Sequence, residues 1–199
     1  MPVLKDILQV LKPYAKNLGN VRSIIVIPIL ISHLALAAQT PPTREYQLKA
    51  VFLYNFTQFV EWPSQSFASA QAPMVIGVLG EDPFGSYLEE TIAGEKINGH
   101  PLRVQHYNTV EEIGVCQVLF INVADKRKRE QIVAKLKGRN ILTVSDSPDF
   151  LLQGGMIRFF TKQDKIKLQV NLEEAKTANL VISSKLLRLV EIFVPQKNT

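Results

Sequence analysis

Apolar positions return along the chain at two different spacings, and the switches between them set out the elements. From Glu45 onward Tyr46, Leu48, Val51, Phe52, Asn55, Phe56 and Phe59 recur at three- and four-residue steps, as on one side of a helix. Trp62-Pro63 stops this helix, because the residue before a proline is pushed out of the helical region. "MVIGVLG" (74–80) is an unbroken apolar run of strand length. In the "EDPFG" that follows, Asp82 is placed as an N-cap and Pro83 as the first residue of a helix with Phe84, Leu88 and Ile92 on one face and Gly94 at its end. "PLRVQHY" (101–107) alternates apolar and polar, "VCQVLFINV" (115–123) is apolar throughout, and "NILTVSD" (140–146) is a third short β-rich run. A helix lies between the last two, with Ile132, Val133 and Leu136 on its packed face and Gly138 as terminator.

The segment "SDSPDFLLQGGMIRFF" (145–160) predicts a strand end at Asp146, a short helix capped by Ser147 with Pro148 first and Asp149 in its first turn, and a glycine stop at Gly154-Gly155. The glycines follow a helix and precede a strand, the reverse of a phosphate-binding loop, so the stretch reads as folding rather than as a cradle. "MIRFFT" and "KIKLQVN" around "KQD" predict an antiparallel hairpin over 156–171. Asn171 with Glu174 fits a capping box, and Ser183 or Ser184 caps "KLLRLVEIF", striped by Leu186, Leu187, Val190 and Phe193. Strands alternating with helices, several of them apolar on both faces, imply an α/β fold: a three-layer sandwich with a mostly parallel sheet plus an antiparallel hairpin, and helices on both faces.

Charge changes the picture at the front of the chain. Residues 1–23 carry Lys5, Lys12, Lys16 and Arg22 against Asp6, and the uncharged apolar run 24–36 leads to Ala35-Leu36-Ala37. A basic start, an apolar segment too short to span a bilayer, and small residues at alternate positions predict a cleavable signal peptide over 1–37. A linker over 38–45 and a single domain over 46–195 follow, and the mature chain is expected to be exported. The net charge of +5 is largely the leader's, since without it 19 Lys and Arg face 17 Asp and Glu. That balance gives no reason to expect nucleic acid as a partner. Cys116 is the single cysteine, so no intramolecular disulfide is available, and its apolar surroundings predict a buried, inert thiol.

The remaining chemistry is thin. Glu81, Asp82, Ser145 and Asp146 follow strands, on the sheet edge where open α/β folds bind ligands, and they form the candidate ligand cleft. Asp82 and Asp149 already have helix-start roles, and no positioned nucleophile accompanies the acids, so no catalytic residue is assigned. His100 and His106 share one strand face six residues apart, too far to ligate one ion alone, and neither a metal nor a cofactor is expected. Two sets of residues are candidate partner contacts. Lys126, Arg127 and Lys128, from the run "KRKR", open a helix where cations oppose the macrodipole; they read as a solvated face or as a surface for acidic partners or anionic lipid. Tyr54, Phe59 and Trp62 are aromatics of the first helix region and would act as anchors where exposed.

The blocks "LKAVFLYNFTQFVEWP", "IGVLGEDPFG", "INGHPLRV", "CQVLFIN", "LTVSD" to "GGMIRFF" and "ISSKLLRLV" occur in this order over about Tyr46 to Val190. Together they resemble the YfiR-like family of periplasmic proteins. The resemblance implies a three-layer α/β domain in the periplasm of a Gram-negative bacterium. It also implies a regulatory role, in which the chain represses a membrane-bound diguanylate cyclase by binding its periplasmic part, lowering cyclic di-GMP output and so biofilm formation. An OmpA-like lipoprotein is a second partner within its scope, and the oligomeric state stays open, a homodimer included. Disulfide-based redox control does not carry over to a chain with only Cys116. The rival expectation is a periplasmic small-ligand sensor using the cleft at the strand C-terminal ends.

Overall fold

The computed structural model describes residues 42–195, which lie within one compact unit. The predicted signal peptide over 1–37 and the first residues of the linker fall outside the described residues. Helix α1 (Arg44–Phe59) opens at Thr43, whose Oγ1 accepts from Tyr46 N at 3.5 Å, so the last residues assigned to the linker already belong to the helix. The helix gives way at Val60, and β1 (Val60–Glu61) pairs antiparallel with β9 (Val181–Ile182) before Trp62-Pro63.

The central strands are β2 (Met74–Gly80), β4 (His100–Tyr107), β5 (Val118–Asn122) and β6 (Leu142–Ser145), with helix α2 (Tyr87–Ile92) after β2 and α3 (Lys126–Leu136) after β5. A two-residue strand β3 (Lys96–Ile97) folds back on β4 through Asn98 (φ 52°) and Gly99 (φ 88°), the residue pair favoured where both turn positions need positive φ. The hairpin β7 (Ile157–Lys162) and β8 (Lys165–Val170) turns at Gln163 (φ 51°) and Asp164 (φ 56°). Helices α4 (Leu172–Thr177) and α5 (Ser184–Leu187) and strand β10 (Glu191–Ile192) follow.

Eight strands form one sheet in the order β10-β8-β7-β6-β5-β2-β4-β3. The five strands β4, β2, β5, β6 and β7 are parallel, β8 runs antiparallel to β7, and β10 is parallel to β8. Two apolar layers sandwich the sheet, as the residue alternation requires. On one face Ile76, Val78, Val118, Phe120, Leu142, Val144 and Phe159 pack with Leu53 and Phe56 of α1, Leu88 of α2, Ala175 of α4 and Leu186 of α5. On the other, Val75, Leu79, Leu119 and Ile121 pack with Ile132, Val133 and Leu136 of α3 and with Phe150. The expected three-layer α/β sandwich with a mostly parallel sheet and an antiparallel hairpin is therefore what forms.

Three local expectations differ. Asp82 caps a turn rather than a helix: its Oδ1 accepts from Phe84 N at 2.8 Å, and α2 starts only at Tyr87. The short helix after Asp146 is a turn series over 148–154, and Ser147 does not cap it. Instead Gly155 N reaches Phe150 O (2.9 Å) and Gly154 N reaches Leu151 O (3.2 Å), with Gly154 at φ 94°, which is a helix-end motif on a stub too short to be a helix. The C-terminal helix ends at Leu187, because the chain leaves it to lay Glu191–Ile192 along β8. Phe193 then donates its N–H to Val170 O and packs on the opposite core from Leu186.

Candidate functional site

The five parallel strands, numbered in chain order, run 2-1-3-4-5 across the sheet, so the order reverses between β2 and β5. In open α/β sheets ligands settle outside the carboxyl ends of the strands at such a reversal. Here the ends of β2 and β5 are joined past the last ladder pair, Gly80 with Asn122. Glu81 N donates to Asn122 O at 3.3 Å, and the Asn122 side-chain amide donates back to Glu81 O at 2.8 Å. Gly80, at φ 94°, allows this approach, since a Cβ there would lie 2.3 Å from Asn122 O.

The four acids and hydroxyls expected to share a cleft are accordingly held by separate partners. Glu81 is exposed beside the Asn122 seam. Asp82 Oδ2 faces the half-exposed His106 Nε2 at 3.2 Å, with Glu89 Oε1 at 3.9 Å from the same nitrogen. Ser145 is fully buried, and its hydroxyl donates to Ile121 O at 2.7 Å, which leaves no proton to deliver to a substrate. His100 lies apart from His106, with Nδ1 2.6 Å from Ala72 O and its ring stacked 4.1 Å from that of Phe67. Among the described residues no group of three or more His, Cys, Asp or Glu side chains is arranged to hold a metal ion.

Asp146 is the exception, because it stands in a polar cluster that sequence reading did not assemble. Lys49, only 3 % exposed, places Nζ 2.7 Å from Asp146 Oδ2 and 2.7 Å from Glu45 Oε1. The Tyr46 hydroxyl donates to the same Asp146 oxygen at 3.0 Å, and Nζ lies 4.3 Å from the Tyr46 ring centre. Burial, then the Asp146 charge, push the Tyr46 phenol well above its ordinary value, so it remains a donor. Successive turns of α1 supply Glu45, Tyr46 and Lys49, and the end of β6 supplies Asp146. A cleft of about 210 Å³ opens beside the cluster, walled by Phe159, Phe160, Thr161 and Ile166. It adjoins a wider cleft of about 550 Å³ that shares Glu45, Thr161 and Ile166 and is flanked by Arg44, Leu48 and Lys165. The signal for Lys49 was present as a lysine inside an apolar helical face, but its partner lies 97 residues away.

The expected partner contacts divide. Tyr54, Phe59 and Trp62 are half-buried and packed against the core; the Tyr54 hydroxyl donates to Glu95 Oε2 at 2.9 Å and the Trp62 indole to Gln117 O at 3.1 Å. Lys126, Arg127 and Lys128 are exposed on the first turn of α3, with Lys126 Nζ 2.8 Å from Asp149 Oδ2. That contact holds the Asp149 carboxyl below its usual range. The fourth cation of the run, Arg129, is buried: its guanidinium donates to Val123 O (2.7 Å) and to Gln153 Oε1 (2.9 Å). Cys116 is buried, with Sγ 3.1 Å from Val118 O, and burial pushes its thiol up to about 12. Among the described residues no helix is long and apolar enough to cross a membrane.

A family model described as YfiR/HmsC-like matches residues 46–191. No curated protein matches the chain. The match spans most of the sequence and all but the ends of the described domain, and the chain belongs to the YfiR/HmsC-like family.

Proposed function

We propose that this member of the YfiR/HmsC-like family is a periplasmic regulatory protein that binds and represses a membrane-bound diguanylate cyclase, and so lowers cyclic di-GMP and biofilm formation. The observation that carries this reading is the family match over 46–191. The basic, apolar and small-residue pattern of 1–37 supports export, with cleavage near Ala37. The protein acts by occupying a surface rather than by turnover, and the inner-membrane cyclase's periplasmic part is its target; an OmpA-like lipoprotein is the second candidate. Deleting the gene should raise cellular cyclic di-GMP, and capture on the tagged chain from envelope extracts should recover a diguanylate cyclase. Unchanged cyclic di-GMP in the deletion strain, together with recovery of outer-membrane porins alone, would sink the proposal.

A second reading is a small-ligand sensor, and the cleft beside Lys49 and Asp146 favours it. The site moves away from Glu81, Asp82 and Ser145, none of which lines that cleft. A ligand bound only by the folded chain raises the melting temperature. A broad metabolite panel that shifts the wild type but not Asp146→Ala supports the sensor, whereas a panel that leaves the wild type unmoved ends it.

A further inference from the structure

We propose that the turn 148–154, which carries Leu152, and the adjoining first turn of α3 form a rigid docking surface for an acidic patch with an apolar socket on the partner protein. The inference rests on the regulatory reading above and names the surface through which it works. Leu152 is 75 % exposed, and a lone exposed leucine needs no explanation by itself. Two further observations distinguish this one.

The first is rigidity. The helix-end bonds to Phe150 O and Leu151 O close the turn, and the fully buried Phe150 ring locks it to the core, with room only for a glycine at 155, where a Cβ would lie 2.3 Å from that ring. From α3, Arg129 holds Gln153 Oε1, and Gln153 Nε2 donates to Lys126 O at 3.3 Å. From β7, the Arg158 guanidinium donates to Pro148 O. A turn whose backbone is already held in place loses little freedom on binding, which suits it to present an anchor.

The second is charge. Lys126, Arg127 and Lys128 stand together where three cations oppose the helix dipole. Asp125 caps the helix through Lys128 N (2.7 Å), and Asp149 pairs with Lys126; among the described residues neither Arg127 nor Lys128 has an ion-pair partner. No ion pair ties those two cations to the described domain, and an acidic surface supplies the partner they lack. Lipid fits less well. Stable adsorption to an anionic bilayer needs several inserted apolar side chains or a broad cationic field, and here one exposed leucine lies on a turn that meets the cationic first turn of α3 through Lys126, whose charge Asp149 already answers. A single fixed apolar anchor rimmed by charge matches the anatomy of a protein–protein contact.

The test uses the full mature chain and the purified periplasmic portion of each inner-membrane diguanylate cyclase of the source organism. Binding is titrated at low and high salt for the wild type, Leu152→Asp and the double variant Arg127→Glu/Lys128→Glu. Carboxylates in a first helical turn suit the dipole, so the double variant should melt no lower than the wild type. Each variant should bind at least about tenfold more weakly, and the charge-reversal deficit should shrink as salt screens it. Variants that bind within about twofold of the wild type overturn the docking surface and leave the regulatory reading standing. A wild type that binds none of the cyclases overturns both. If instead the wild type binds phosphatidylglycerol vesicles and the variants lose that binding, the surface belongs to the membrane and the inference fails.

Discussion

Lys49 and Arg129 are the two buried cations among the described residues, and Lys49 is the one paired with carboxylates. Its ammonium is out of water and held by Glu45 and Asp146, which are half and a quarter exposed. Breaking a buried pair strands its partner, but these carboxylates can still reach solvent, so Lys49→Ala should cost about 2–3 kcal/mol, less than the loss of one member of a fully buried pair. Lys49→Met keeps the volume and should cost less; urea titrations giving both variants wild-type stability to within about 0.5 kcal/mol would show that the cluster does not hold α1 to β6. Cys116 supplies a second residue-level expectation. Its thiol is raised from 9.0 to about 12 by burial, so the folded state keeps a proton that the unfolded chain releases. The contribution is intact below about pH 9 and lost as pH climbs toward the folded value. Cys116→Ala should therefore lose melting temperature less steeply than the wild type between those limits, and parallel slopes would contradict the assignment. The inert character of Cys116 was legible in its apolar neighbourhood, and the Asn171 cap in its spacing to Glu174, whose N–H it accepts at 3.3 Å. The Lys49 cluster was legible only in part, because the helix spacing sets Glu45, Tyr46 and Lys49 together while Asp146 joins them only through tertiary packing.

At the scale of elements, periodicity worked where an element was long and failed where it was short. α1, α3, β2, β5 and the β7–β8 hairpin have runs long enough for one spacing to dominate. The β1–β9 and β3–β4 pairs are two residues deep, below the reach of any period, although Asn98-Gly99 carried a turn signal for the latter. The apolar stripe of the last segment was real but ambiguous, since Leu186 and Phe193 serve opposite faces of the sheet. Turn chemistry yields a prediction here. Gln163 and Asp164 both sit at positive φ, where a side chain costs roughly 1 kcal/mol, so Gln163→Asn/Asp164→Gly should stabilise the hairpin and raise the melting temperature by about 2–4 °C. No rise in a calorimetric scan would mean that the native pair is already relaxed by contacts beyond its backbone.

For the whole molecule, the two apolar layers share the same strands, so neither can come apart without exposing the other. Trp62 packs against one layer and Cys116 lies in the other. Unfolding followed by tryptophan fluorescence and by thiol labelling should show one common midpoint, as a single cooperative unit requires; separated midpoints would reveal two independent halves. The seam that Asn122 and Glu81 draw across the strand-order reversal has a broader consequence. With β2 and β5 tied together one residue beyond the ladder, a guest arriving at that reversal meets a joined backbone edge, and the open hollow lies at the end of β6 instead, beside Asp146.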